Sequence, residues 1–427
     1  MLATVTQPLL GAVDTVIVGH LDDASYIAGV AIGSTMFSTL YWLLGFLRVS
    51  TSAASAQAFG AQHKQNGYYA YLRPTMIALL IGMIFLVLQV PLKDAAMALY
   101  KPESDVLMHA VDYFNILIWG APFVLMGYVN IGWLMGRQYA KETMVLQISM
   151  NVLNIVLDSI FVFVFHLGVV GVAYGTLIAQ IYGFLFGLLL ISKKLNLSTA
   201  KTYMSGLLEW QALKEIMVVN TDLIIRTLCL LIMTNLFVAK GATFGTVALA
   251  TNAILFQIQY IISYMFDGFA NASSVFAGKA VGERNQKKLR TLLAISNMYT
   301  LLLSVIITIT IILLYKPMIA VFTNLQDVIQ LAQNYALWLA FFPFAAGIGL
   351  VYYGIFSGCM YTGPVRDSMI LSLVIFLIAY FIMIPVYGNH GLWFSFILFS
   401  FSRSFFLYVY KERLFRTVFK RSGESVV

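Results

Sequence analysis

Largely apolar runs of about 20 or more residues recur along the whole chain. They lie near 1–19, 24–59, 70–92, 106–136, 143–165, 168–191, 213–239, 244–278, 291–315, 328–358, 367–387 and 389–410, with mostly short polar connections. A helix rises about 1.5 Å per residue, so each run reaches across a hydrocarbon core of about 30 Å. The runs are continuous, without the alternation of apolar and polar positions that a transmembrane strand needs, which argues against a β-barrel. The pattern predicts an all-α polytopic membrane protein of 12 transmembrane helices.

Composition agrees. Hydrophobic residues make up 60% of the chain and charged residues only 10%, with a mean hydropathy of +0.86, whereas soluble domains carry about 25% charge. Cys229 and Cys359 sit inside apolar runs with no partner at metal-ligand or redox spacing, and read as small buried hydrophobes. The first Lys or Arg is Arg48 and no small-residue cleavage site follows the first run, so that run is expected to remain as a helix.

The net charge of +8 raises the question of nucleic acid, which the placement of the charges answers. With a cytoplasmic N-terminus, 19 of the 26 Lys and Arg residues fall in inward loops and the C-terminal tail, while only Lys93, Lys101, Lys240 and Lys316 face outward. A bias of that size is topological, so both termini are expected in the cytoplasm and no nucleic-acid partner is. The polar stretch "SKKLNLSTAKTYMSGLLEWQA" at 192–212 divides the chain. It predicts an N-terminal lobe over 1–195, a cytoplasmic connector over 196–212 and a C-terminal lobe with a basic tail over 213–427. A faint repeat links the halves: Gly45-Phe46 with Gly60, and Gly268-Phe269 with Gly282. Six spans per half give both halves one orientation, as in parallel-repeat transporters.

The charges within spans that stand as candidates are Asp14, Arg48, Asp158, Asp222, Arg226, Asp267 and Arg403. Each costs at least about 2.5–3.5 kcal/mol near the bilayer centre and is a functional candidate for that reason. Asp14 has no basic residue in its own span. Asp158 continues a stripe with Asn151 and Asn154 on one helical face. If Asp14 and Asp158 approach one another, like charge and desolvation both raise a carboxyl pKa, which equips it to load and release a proton. Asp222 and Arg226, four apart, are expected to pair. Asp267 completes a candidate charge network, Arg48 reads as mostly structural, and Arg403 needs a partner from another helix.

The segments "PLLGAVDTVIVGHL", "YWLLGFLRVSTSAASAQAFGA", "NVLNIVLD" and "VNTDLIIRTL" together resemble the multidrug and toxic compound extrusion (MATE) transporters, and within them the DinF branch. The resemblance runs from Pro8 to the early 400s. It implies two six-helix lobes related by a pseudo-two-fold axis along the membrane normal, around a cavity open alternately to each side. It also implies a cation and substrate pocket in the N-terminal lobe, carried over to Asp14, Asn154, Asp158, Thr176 and Asn130. The branch that uses acids in the tenth helix fits less well, because the tenth span holds no acid beyond Asp327. Family members begin the first helix upstream of the position of Met1, so the chain is expected to be truncated or its start assigned late.

The expected function is proton-coupled antiport of lipophilic, often cationic small molecules, with sodium as an alternative coupling ion. No cofactor is expected, nor any partner beyond substrate and membrane lipid, and the unit of function is expected to be a monomer in the cell membrane. A lipid-linked sugar flippase would line its cavity with basic residues, and only three, Arg48, Arg226 and Arg403, lie deep within spans. An intramembrane transferase would need acidic metal motifs, and the one adjacent pair, Asp22-Asp23, falls in a short outer loop. A proton-pump subunit would need lysines deep inside the spans, and the one Lys within a run, Lys214, is its second residue.

Overall fold

A computed structural model describes residues 24–100, 104–196, 201–323 and 325–424. Eleven helices or helix pairs among them are long and apolar enough to cross a membrane, from Ser25–Gly60 to Asn389–Phe419. These correspond to the second to twelfth predicted spans; the first, with Asp14, lies outside the described residues. The chain forms two compact units, one running to Ile216 and the other starting at Met217.

In the first unit, α1 (Ala24–Leu43) and α2 (Phe46–Gly60) make one span broken at Leu44-Gly45. They are followed by α3 (Lys64–Val87) and α4 (Gln89–Tyr100). Then α5 (Ser104–Leu117), a tight turn at Ile118–Gly120 and α6 (Ala121–Gly136) form a second bent span. The bend coincides with Pro122, which lacks an N–H to continue the ladder. α7 (Ala140–Ser159) runs into a wide π-turn at Ile160–Val164, and α8 (Gly168–Ser192) closes the unit.

The second unit holds α9 (Trp210–Ala242), α10 (Thr246–Gly282), α11 (Gln286–Ala320), α12 (Gln326–Gly358), α13 (Gly363–Tyr387) and α14 (Asn389–Glu424). Pro343 interrupts α12, and Ser304 and Thr308 of α11 donate to the carbonyls of Pro343 and Ala340 there. Such hydroxyls re-satisfy backbone groups in a medium without water. At the core, Asn252 and Asn389 exchange amide hydrogen bonds of 2.8 and 3.0 Å. The Trp393 indole also donates to Asn252 at 2.9 Å.

The internal repeat is sharper in the structure than in the sequence. Gln62, Gln138, Arg284 and Met360 all adopt the left-handed conformation, with φ between 52° and 66°. Each ends a helix in the same motif, in which the next residue's N–H returns to the carbonyl five positions back: His63 to Ala58, Tyr139 to Leu134, Asn285 to Ala280, Tyr361 to Phe356. The second member of each pair lies 222 residues after the first. The same offset governs the tightest helix crossings. A Cβ on Gly132 would stand 2.5 Å from the Arg48 carbonyl, and one on Gly136 would overlap that of Ser52; Gly354 and Gly358 meet the carbonyls of Ala270 and Ser274 in the same way. Glycine is what lets α6 lie on α2, and α12 on α10, backbone to backbone. The Gly-Phe part of the expected repeat is out of register. Gly45 breaks a span, whereas the position 222 residues later is Asp267, inside the continuous α10.

The connector is fastened to the first unit. Tyr68 donates to the Asn196 carbonyl and packs on Tyr203, and Arg73 donates to the Gly206 carbonyl at 2.8 Å and pairs with Glu209 at 3.1 Å. Arg73 is one of the 19 cations counted to the inward loops, although it stands at the start of the 70–92 run. The structure places it inside α3, buried.

Candidate functional site

Between α6, α7 and α8, with Tyr41 of α1 at its edge, the first unit encloses a cavity of ≈ 180 Å³. At about 30 Å³ per water in the liquid, this holds on the order of six waters. Its polar wall follows from helical periodicity: Gln147, Asn151 and Asn154 recur on one face of α7, and Thr176 and Gln180 face them from α8. Tyr128, Phe123 and Phe184 supply aromatic surface.

Asp158 lies one layer behind this wall, fully buried. The Asn154 amide donates to its Oδ2 at 2.9 Å and to the Thr176 hydroxyl oxygen at 3.2 Å, so a single NH₂ group bridges the carboxyl and the cavity lining. Gly175 makes room on the other side, since a Cβ there would overlap Asp158 Oδ1 and stand 3.0 Å from its backbone nitrogen. The π-turn begins two residues after Asp158; such turns cluster at functional sites.

Four buried oxygens around the cavity have no hydrogen-bond partner among the described residues: Tyr41 Oη, Gln147 Oε1, Asn154 Oδ1 and Gln180 Oε1. The amide and hydroxyl side chains of the lining suit a ligand that brings N–H donors or a hydrated cation, and the aromatic faces suit a positive charge.

The repeat supplies a comparison inside the chain. Counted at the same offset, Asn151 and Asn154 correspond to Leu373 and Phe376, and the whole stretch Leu373–Ala379 of α13 is apolar. The scaffold therefore forms without polar side chains at these positions.

Other expected site residues fall elsewhere. Asn130 is fully buried but does not line the cavity: Tyr71 donates to its Oδ1 at 2.9 Å and its amide donates to the Phe184 carbonyl at 3.1 Å, a saturated bracket joining α3, α6 and α8. The Asp222–Arg226 pair does not form. Thr362 and Arg366 donate to the two carboxylate oxygens of Asp222 at 2.7 and 2.9 Å. Charge-assisted bonds to both oxygens outweigh an i,i+4 pair, which contributes only about 0.2–0.5 kcal/mol. Arg226 instead stacks on Tyr353, 3.8 Å from the ring centroid. Arg403, buried in α14, has Arg226, Asp267 and Tyr353 as its electrostatic neighbours. The expected network thus splits into two, Asp222 with Arg366, and Arg403 with Asp267 and Arg226 as its neighbours. Gln147, Gln180, Tyr41 and Gly175 belong to the site and escaped the sequence reading, although Gln147 extends the α7 stripe by one turn and was legible there.

Two repeats of membrane-length helices at one fixed offset, with a polar, acid-backed cavity in the first, fit a membrane transporter. The MatE family model matches residues 1–160 and 222–386, and the chain belongs to that family, the MATE transporters. DNA damage-inducible protein F of Escherichia coli K12 is 32% identical over 397 residues, covering 93% of this chain and 86% of that protein. Multidrug export protein MepA of Staphylococcus aureus is 22% identical over 93% of this chain and 88% of its own length. Among solved structures, the outward-facing conformation of a multidrug resistance MATE transporter superposes with a TM-score of 0.87 at 20% identity, covering 98% and 94% of the two chains.

Proposed function

We propose that this transporter exports lipophilic, often cationic small molecules in exchange for protons, by alternating access of two six-span lobes joined through the 196–212 connector. The lobes are related by a pseudo-two-fold axis along the membrane normal, and the termini lie on the cytoplasmic side of the cell membrane. The cavity of the first unit is the cargo and coupling site. Asp158, with Asp14 of the first span, carries the exchangeable proton, and Asn154 and Thr176 transmit its ionisation state to the cavity wall. Protonation and cargo binding compete, because a neutral carboxyl withdraws the charge that holds a cationic cargo; external protons thereby eject it.

One observation carries this reading: the chain Asn151, Asn154, Asp158, Thr176 exists in the first unit, while the residues at the same offset, Leu373, Phe376, Tyr380 and Leu398, include no amide and no carboxyl. The names of the relatives, a multidrug export protein among them, support the cargo class. Among the described residues the cavity lining contains no Lys or Arg, which favours this cargo class over flipping of a phosphate-linked lipid.

The test is uptake of a cationic dye by everted vesicles under an imposed proton or sodium gradient. Proton-driven uptake by the wild type, lost in Asp158→Asn and in Asp14→Asn, is expected. Asn at 158 keeps an oxygen for the Asn154 amide, so the fold survives while the titrating group is gone. Uptake driven by sodium alone would assign the same carboxylates to that ion, and undiminished proton-driven uptake by both variants would refute the coupling scheme.

A further inference from the structure

A second cleft lies in the other unit, between the last third of α10 and the first third of α11, with a volume of ≈ 780 Å³. Its ends differ chemically. Around the α10–α11 turn it is lined by Lys279, Lys287, Lys288 and Glu283, three cations against one anion, for a net of +2. Lys288 reaches Glu283 at 2.7 Å, and the Asn285 side chain accepts from the Lys288 backbone N–H at 2.9 Å, which fixes the turn. Farther along, the walls are Phe276, Leu292 and Ile295, ending where Phe269 and Tyr299 stack at 6.4 Å between centroids. From Lys287 to Tyr299 α11 advances twelve residues, or about 18 Å at the helical rise. Phe276, Ile295 and Tyr299 retain 53%, 45% and 45% exposure.

We infer that this cleft binds an anionic phospholipid, its phosphate at Lys279, Lys287 and Lys288 and one acyl chain along Phe276, Leu292 and Ile295. Two features favour a lipid over a free anion. Basic groups at the end of a membrane helix pair meet headgroup phosphates at that depth, and the apolar trough continues from the charges for roughly the length of an acyl chain. A soluble phosphate would use the lysines and leave the aromatic walls idle. The site is separate from the cavity of the first unit, uses none of its residues and does not depend on what that cavity transports.

The experiment is native mass spectrometry of the full chain in detergent, titrated with phosphatidylglycerol, with phosphatidylcholine of identical acyl chains and with glycerol 3-phosphate. Selective retention of phosphatidylglycerol is expected. Each lysine near the headgroup contributes about a fivefold change in affinity, so Lys287→Gln/Lys288→Gln is expected to weaken binding roughly 25-fold. Glu283→Gln removes the opposing charge and is expected to tighten it about fivefold, a gain that misfolding cannot imitate. Phe276→Ser is expected to weaken lipid binding. Equal binding of the two phospholipids, displacement by glycerol 3-phosphate at equal concentration, or unchanged affinity in both charge variants would each overturn the assignment.

Discussion

Replacing Gly175 by alanine tests the coupling site without touching a titratable group. The new methyl would overlap Asp158 Oδ1 and stand 3.0 Å from the Asp158 nitrogen. The carboxyl can rotate away, but the backbone cannot, so α7 and α8 must also separate by a few tenths of an ångström. Rotation breaks the 2.9 Å bond from Asn154, a hydrogen bond to a charged group, at about 1.5–3 kcal/mol. Overpacking adds about 1–3 kcal/mol, and the better helix propensity of alanine returns about 1 kcal/mol. The net expectation is a loss of roughly 1.5–5 kcal/mol, together with transport reduced at least tenfold because the carboxyl no longer meets Asn154. Gly127→Ala is the control, since that glycine lines the same cavity with nothing within 4 Å of the added carbon. Thermal unfolding in detergent and dye efflux from proteoliposomes report the two effects. A Gly175→Ala protein as stable and as active as Gly127→Ala would refute the claim that the close approach of α8 positions Asp158.

Three further outcomes follow from the packing. Gly132→Ala and Gly354→Ala, at equivalent crossings against backbone carbonyls, should each destabilise the fold by at least the roughly 1–3 kcal/mol of overpacking, read as a lower unfolding midpoint; an unchanged midpoint in either would break the proposed equivalence. Arg366→Gln should destabilise by about 2–4 kcal/mol, somewhat under the range for fully buried pairs because its side chain retains 37% exposure. Arg226→Gln should cost clearly less, and the reverse order would restore the Asp222–Arg226 pair. Burial pushes the Cys359 thiol up, so it stays neutral near physiological pH; maleimide should label it only on unfolding, and rapid labelling of the native protein would contradict its burial.

Much of the fold is legible in the chain because a bilayer enforces it: backbone groups must be satisfied within each segment, so long apolar runs become helices. What escapes is decided between helices. The break at Gly45 and the π-turn after Asp158 have no hydropathy signature. Arg73 counts among the inward-loop cations until the connector it holds is seen. Spacing alone put Arg226 beside Asp222, but nothing local reveals that Thr362 and Arg366, 140 and 144 residues away, take both oxygens. In the site, the α7 stripe was readable because its period matches the helix, whereas Gln180 and Tyr41 enter from other elements. Asn130 shared the polarity of the cavity residues but pointed the other way.

The exact 222-residue echo of turns and glycine contacts gives this molecule an internal control. Features present in both copies are what folding such a unit demands, and features confined to one copy were added for work. An experimenter can exploit that arithmetic directly: a substitution made at one position and at its echo separates damage to architecture from damage to chemistry within a single polypeptide.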